Sequence, residues 1–101
     1  MNKDVSSLGQ GLQVNSGLRE LRLWDNQIKD CDEIWRALGA NRSLEELSLI
    51  NNQISKVDLL CERLRMNSTL RYLDLTLNPI SDEDKVLIRS ASSAVPRTLY
   101  I

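Results

Sequence analysis

The sequence has no histidine among its 101 residues. Histidine is the side chain that most readily exchanges protons near neutral pH. Its absence therefore excludes histidine-based acid–base catalysis, catalytic triads and zinc sites with imidazole ligands. No glycine-rich phosphate-binding loop is present either. Carboxylates do cluster at residues 30–33 and 82–84, but they precede predicted helices, where they suit the positive end of the helix dipole. We therefore expect a protein that is not an enzyme and that uses no metal or cofactor.

Basic clusters and long apolar runs are also missing. Thirteen lysines and arginines are balanced by fourteen carboxylates, and no run of positive charge offers the surface that a nucleic acid requires. No apolar stretch approaches the roughly 20 residues of a membrane span, and the N-terminus has no signal-peptide pattern. The two cysteines, Cys31 and Cys61, are too few for a disulfide framework, so we expect buried free thiols and a cytoplasmic, intracellular protein.

The dominant feature of the sequence is a repeat of 26 residues. The segments LRELRLWDNQI, LEELSLINNQI and LRYLDLTLNPI begin at Leu18, Leu44 and Leu70, and each reads L-x-x-L-x-L-x-x-N-x-I. Self-similarity at a fixed period is typical of proteins that stack one structural unit on the next. The same phase continues between these segments and into the tail. The sequence therefore predicts a single domain, 1–101, of about three and a half repeats: 3–28, 29–54, 55–80 and 81–101.

Each repeat contains two local periods. The alternation in Leu21-x-Leu23 is typical of a strand with one buried face, and the spacing of Cys31, Ile34, Trp35 and Leu38 is typical of one face of a helix. One strand and one helix per repeat predict parallel strands joined by crossover helices.

The repeat register also places particular residues in the helices. It puts Val86 in one column with Leu8, Ile34 and Leu60, and Trp35 in another with Gly9, Cys61 and Leu87, where we expect packing roles. Ser55 and Ser81 each precede an aspartate by three residues, a pattern typical of helix starts.

The repeated pattern resembles the central signature of the leucine-rich repeat family. The joints NSGL, NRSL and NSTL are most similar to those of the ribonuclease-inhibitor-like subclass, although repeats there are usually slightly longer. The resemblance implies an α/β solenoid that coils as a right-handed superhelix. A short parallel sheet of three to four strands would line its concave face, and helices would cover its convex face. It also implies that Asn26, Asn52 and Asn78 form a structural asparagine ladder, since backbone groups at the turn after each strand need partners.

Alternate residues of the strands are expected to point outward. We call this set the strand face, and it consists of Glu20, Arg22, Trp24, Glu46, Ser48, Ile50, Tyr72, Asp74, Thr76 and Tyr100. These positions differ between repeats while the framework does not. An exposed Trp24 beside Ile50, with tyrosines and charges around them, favours a protein interface. The alternative is that Trp24 lies against its own neighbours or a capping segment.

The sequence therefore predicts a non-enzymatic module that binds a partner protein through the strand face. It predicts neither nucleic-acid binding nor membrane insertion. The alternative is a structural or regulatory subunit, or a fragment of a longer array, that docks through the open edges of its sheet. Such edges invite pairing, so self-association is a further hypothesis. Residues 81–96 are poorer in leucine and are expected to form a cap-like final repeat.

Overall fold

Four helices alternate with four strands along the chain. The structure is a computed structural model and describes residues 5–93 and 95–101, so residue 94 and the start of the predicted first repeat lie outside the described residues. The elements are α1 (Ser6–Val14), β1 (Glu20–Arg22), α2 (Asp32–Ala40), β2 (Glu46–Ser48), α3 (Asp58–Met66), β3 (Tyr72–Asp74), α4 (Asp82–Ser92) and β4 (Thr98–Tyr100). The order confirms the predicted α/β architecture.

The strands form one parallel sheet in the order β1-β2-β3-β4. Its register keeps the repeat intact, because Leu21 pairs with Leu47, Leu47 with Leu73, and Leu73 with Leu99. The helices pack against one another in the same order, α1 on α2, α2 on α3 and α3 on α4. Each strand is therefore followed by a crossover through the helical layer, as parallel pairing requires.

The core lies between the sheet and the helices. The inward leucines Leu47, Leu49, Leu73 and Leu75 are all buried, and so is Ile54 after the second strand. Removing each such side chain from water contributes on the order of 1.5–3 kcal/mol. Leu21 in β1 and Leu23 directly after it are only partly buried, since no earlier strand lies beside β1 among the described residues.

Asparagine side chains close the turn after each of the first three strands. Asn52 Nδ2 donates to the carbonyl of Leu23 at 2.8 Å and to that of Leu49 at 2.9 Å, while its Oδ1 accepts from the amide of Ile28 at 3.3 Å. One side chain thus satisfies backbone groups in two successive repeats. Asn78 makes the same set of contacts one repeat later, accepting from Ile54 and donating to the carbonyls of Leu49 and Leu75. In the first repeat, Asn26 donates to Trp24 O at 2.9 Å.

A second asparagine series lies at the other end of the strands, where each helix leads into the next strand. Asn41 is buried, accepts from the amides of Ser43 and Leu44 at 2.9 and 2.7 Å, and donates to Leu12 O at 2.7 Å. Asn67 repeats this arrangement with Leu38 O at 2.7 Å. Asn41-Arg42-Ser43 and Asn67-Ser68-Thr69 both match the N-x-S/T glycosylation pattern. Because both side-chain amide nitrogens are buried and bonded, we interpret these segments as structural joints between helix and strand.

Arg97 takes the place of the missing asparagine in the last repeat. Its guanidinium donates to Asn67 O at 2.7 Å, to Leu70 O at 3.0 Å and to Ser92 Oγ at 3.2 Å. Burial lowers the pKa of Arg97, and the nearby charge of Arg71 lowers it further. The arginine therefore closes the asparagine series at the C-terminal end of the sheet, a role that the repeat pattern does not predict.

The helix columns behave as predicted in α2 and α3. Trp35 is completely buried in the core, which confirms its packing role. Cys31 and Cys61 are buried free thiols, also as predicted. Burial raises the pKa of the Cys31 thiol to about 12, with the charges of Asp30 and Asp32 adding to the effect. Such a thiol is protonated at neutral pH and unreactive.

The register of α4 differs from the prediction. Val86, expected to share the buried column of Ile34 and Leu60, is 62% exposed, and Ile88 is buried in its place. The cause is an early helix start: α4 begins at Asp82, two residues earlier in the repeat than α2 and α3. Ser81 caps it as predicted, accepting from the amide of Asp84 at 3.1 Å.

The corresponding prediction for Ser55 is wrong. Helix α3 begins at Asp58 after Val57, and its first turn has no side-chain cap. The serine of the S-x-x-D pattern lies two residues too early to reach the first turn of this helix. The same four-residue pattern therefore starts a helix in one repeat and not in the other.

Gly9 allows α1 to approach α2 closely. A methyl group at Gly9 would lie 2.5 Å from the backbone carbon of Glu33, whereas one at Gly11 meets nothing within 4 Å. Gly9→Ala is expected to lower the free energy of unfolding by about 1–2 kcal/mol through forced separation of the helices. Gly11→Ala, in the same helix, should raise it by about 0.5–1 kcal/mol because alanine favours the helix. Urea denaturation of both variants checks this, and equal effects would contradict the close approach.

Asn52→Ala leaves the carbonyl of Leu23 and the amide of Ile28 without this side-chain partner, and it removes one of the two asparagine bonds to the carbonyl of Leu49, which Asn78 still bonds. We expect it to lower the free energy of unfolding by about 2–4 kcal/mol. The matched change Asn26→Ala should cost less than about 1 kcal/mol, because its single bond to Trp24 O lies at the exposed end of the series. Thermal and urea unfolding compare the two. Similar losses for both variants would show that the ladder does not carry the stability assigned to it.

Candidate protein-binding face

The outward residues of four adjacent strands make up the strand face. Pairing in register brings Glu20, Glu46 and Tyr72 side by side, and likewise Arg22, Ser48 and Asp74, with Tyr100 completing the second row. The strand ladder continues past the strand ends, since the amide of Leu23 donates to Ser48 O at 2.9 Å. The structure therefore gathers residues far apart in sequence on one surface.

Trp24 is held in place and remains half exposed. Its indole Nε1 donates to the hydroxyl of Ser48, so the ring leans across the second strand. The guanidinium carbon of Arg22 lies 6.0 Å from the ring centroid, at the outer limit of a cation–π contact. Half of the side chain, 50%, is still accessible. Trp24 thus contacts its own neighbours, as the alternative interpretation has it, and also presents apolar surface to solvent.

Two predicted contact residues lie beneath this surface. Ser48 is only 4% exposed and Asp74 only 7%. Asp74 Oδ1 accepts from both the amide and the hydroxyl of Thr76, at 3.0 and 2.8 Å, and its Oδ2 accepts from the hydroxyl of Tyr72 at 3.3 Å. Their role in the structure is to position Trp24, Thr76 and Tyr72, while direct contact falls to the side chains above them.

The tyrosines form a second aromatic element. The ring centroids of Tyr72 and Tyr100 lie 5.7 Å apart with the planes tilted by 59°, a geometry within the favourable range for aromatic pairs. Desolvation and the negative charge of Asp74 raise the pKa of Tyr72 above its ordinary value, at which a phenol is already protonated at neutral pH. Its phenol therefore stays a neutral hydrogen-bond donor.

Ion pairs link the first two strands. Arg22 Nη2 lies 3.1 Å from Glu20 Oε2 and 3.7 Å from Glu46 Oε2. All three side chains are substantially exposed, so each pair contributes at most about 1 kcal/mol. These contacts position the charges without fixing them rigidly.

A pocket of about 310 Å³ opens on the strand face. It is lined by Leu21, Arg22, Trp24, Glu46, Ser48 and Tyr72. The lining thus combines two aromatic residues, a glutamate and a leucine from the edge of the core. This volume is at the small end of ligand sites in proteins.

The turn after each strand forms one rim of the face. Asp25, Asn51 and Leu77 occupy equivalent positions and all have left-handed backbone conformations, with φ of 57°, 58° and 60°. Aspartate and asparagine tolerate this region, and Asn51 Nδ2 donates to Asp25 Oδ1 at 2.9 Å. Leucine does not favour the left-handed region. Leu77 is also 73% exposed. The Asp/Asn preference of the column is the sequence signal that could have revealed this strained leucine.

Two further observations concern the described residues. Across residues 5–93 and 95–101, no group of three or more cysteine, aspartate and glutamate side chains is arranged to hold a metal ion. No helix in the same ranges is long and apolar enough to cross a membrane.

Comparisons with known proteins identify the repeat. A family model described as "Leucine Rich repeats (2 copies)" matches residues 16–62, and one described as "Leucine Rich repeat" matches residues 67–84. A search of curated proteins found no match. Among solved structures, the chain is similar to "Leiomodin-1 Actin-Binding Site 2 (ABS2)", with a TM-score of 0.85 and 18% identity. The similarity covers 100% of this chain and 64% of that one.

The sheet of stacked repeats with its outward strand surface defines an α/β repeat protein of the solenoid class. Both family models describe leucine-rich repeats, and the matched residues 16–62 and 67–84 include β1, β2 and β3, so the chain contains leucine-rich repeats.

Leu77→Asn should stabilise the protein. The left-handed conformation costs an ordinary residue about 1–2 kcal/mol, and asparagine adopts it more readily. Because Leu77 is mostly exposed, little buried apolar contact is lost, so we expect the free energy of unfolding to rise by about 0.5–1 kcal/mol. Leu87→Asn on α4 is the matched control, also an exposed leucine, and should give no gain since asparagine disfavours helices. Urea denaturation of both variants measures the change, and a lower free energy of unfolding for Leu77→Asn would contradict the strain.

Proposed function

We propose that this protein is a non-enzymatic interaction module that binds a partner protein through the strand face. One observation carries the proposal: Trp24 keeps half of its surface exposed while a hydrogen bond to Ser48 and the nearby Arg22 hold it in place. A large aromatic side chain that is already ordered loses little conformational entropy on binding, which is why tryptophan so often dominates interfaces.

The surroundings of Trp24 support the same proposal. Ile50 and the paired tyrosines extend the apolar and aromatic surface, and charged side chains lie around it. Leu77 adds an exposed leucine on the rim in a conformation that costs stability. Strain retained at an exposed position is a reason to look for function there. Interfaces combine such an aromatic centre with a polar rim.

The similar solved structure suggests where to begin looking for the partner. Its title names an actin-binding site, but at 18% identity the similarity carries the fold alone. Because the name of that structure mentions actin, actin is a reasonable first protein to test against this chain. We also propose an intracellular location, which the buried free thiols suit, and the ribonuclease-inhibitor-like subclass, which the full helices between strands suit.

A second candidate function is docking through the open edges of the sheet or through the exposed apolar surface of α4. Val86 and Leu87 are adjacent on α4 and are 62% and 48% exposed. Strands β1 and β4 each have a neighbour on one side only. A structural subunit could use either surface to join a larger assembly or a second copy of the chain.

Paired double variants separate the two candidates. Affinity capture from the cell of origin, and co-sedimentation with actin, would be run with the unmodified protein, with Trp24→Ala/Ile50→Ala and with Val86→Ala/Leu87→Ala. The strand-face pair is expected to weaken partner binding by at least about tenfold, as loss of an aromatic hot spot does. The α4 pair should leave binding unchanged.

Circular dichroism and thermal unfolding of both variants ensure that lost binding is not lost folding. If the α4 pair abolishes capture while the strand-face pair does not, the docking function is supported and the strand-face proposal fails.

A further inference from the structure

We propose that the pocket beside Trp24 receives the guanidinium group of an arginine side chain from the partner protein. The inference rests on the proposed function of the strand face and names the chemistry that this face recognises. It is carried by the walls of the pocket, by the charge of the face and by an arginine that already occupies a neighbouring position.

The pocket has the walls that a planar cation needs. Trp24 and Tyr72 both line it, Glu46 contributes a carboxylate, and Leu21 contributes apolar surface. A guanidinium stacks on aromatic rings and also forms paired hydrogen bonds with a carboxylate. A volume of about 310 Å³ holds one long side chain and is small for a larger ligand.

The charge of the strand face favours a cation. Its ten residues include the three carboxylates of Glu20, Glu46 and Asp74 and only one guanidinium, that of Arg22. Asp74 is more than nine-tenths buried, and the described part of the chain places no basic group within ion-pair distance of it. Desolvation, and after it the negative charge of Asp74, raise the pKa of Tyr72 at the edge of the pocket. A positively charged side chain entering here meets more carboxylates than basic groups on the face, with Glu46 and Arg22 both in the lining of the pocket.

Arg22 shows that a guanidinium fits this environment. It lies near the Trp24 ring and pairs with Glu20 at 3.1 Å, while its distance to Glu46 is 3.7 Å. The longer contact is the weaker and is exposed to solvent. An incoming arginine can therefore bond Glu46 while Arg22 stays paired with Glu20, so that little is lost within the protein.

Arginine suits the pocket better than lysine. The guanidinium is planar and weakly hydrated, so it stacks between rings and offers two parallel donors to one carboxylate. The lysine ammonium is a compact, strongly hydrated point charge that gains less from the aromatic walls. The pocket should therefore distinguish the two.

The test uses the full chain and three short peptides of glycine and serine, with arginine, lysine or the neutral isostere citrulline at the centre. Nuclear magnetic resonance reports the indole N–H signals of both tryptophans. Trp24 lines the pocket, and the fully buried Trp35 serves as internal reference. The arginine peptide is expected to shift the Trp24 signal saturably, with a dissociation constant that is roughly millimolar. Lysine should bind at least about threefold more weakly, and citrulline should give no saturable shift.

A pair of charge-neutralising variants completes the experiment. Glu46→Gln should weaken binding of the arginine peptide at least about threefold. Glu62→Gln, on the exposed surface of α3, is the matched control and should change nothing. Equal shifts with citrulline or with lysine would overturn the proposal, and so would the absence of any saturable shift with arginine.

Failure here is distinguishable from failure of the proposed function. If the Trp24→Ala/Ile50→Ala variant loses its partner but the arginine peptide does not bind, the strand face is an interface and the pocket is not an arginine site. If that variant keeps its partner, the strand-face proposal itself is wrong, whatever the peptides do.

Discussion

The structure depends on satisfying the backbone where the chain turns. Every repeat passes twice between the sheet and the helical layer, and at each passage buried amide and carbonyl groups leave regular pairing. Asn52 and Asn78 bond these groups at one end of the strands, while Asn41 and Asn67 do so at the other. Because an unpaired buried polar group costs about 1–3 kcal/mol, the asparagines fix the position of one repeat on the next. The leucine core supplies the larger stabilisation, and the amides give it a single register.

Core packing and turn hydrogen bonds involve other positions, so the residues of the strand face are free to vary. Inward residues are set by packing and turn residues by hydrogen bonding, so the outward positions carry a tryptophan in one repeat, an isoleucine in the next and a threonine in the third. The face is nevertheless ordered. Ser48 orients Trp24, and Asp74 binds Thr76 and Tyr72 from below. Leu77 differs, since it is a mostly exposed leucine in a left-handed turn, a conformation that costs an ordinary residue stability.

The sequence was sufficient for the architecture, because a period of 26 residues and its two internal alternations specify strands, helices and their order. Of the ten alternate strand positions that it indicated, eight are at least partly exposed. It could not show that Ser48 and Asp74 lie beneath their neighbours, since burial on an outward face depends on how larger side chains such as Trp24 lean across it. Nor could it foresee Arg97 replacing an asparagine or the early start of α4, because both depart from the repeat that made prediction possible.

We propose that scaffold and interface are separate surfaces, with the interface on the strand face. Hydroxyl-radical footprinting of the free and partner-bound protein tests this most directly, because it uses side chains already present. Trp24, Tyr72 and Tyr100 report on the strand face, and Met66, exposed at the end of α3, reports on the helical layer. The account predicts that partner binding protects the three aromatic residues and leaves oxidation of Met66 unchanged. Protection of Met66 with undiminished oxidation of Trp24 would contradict it.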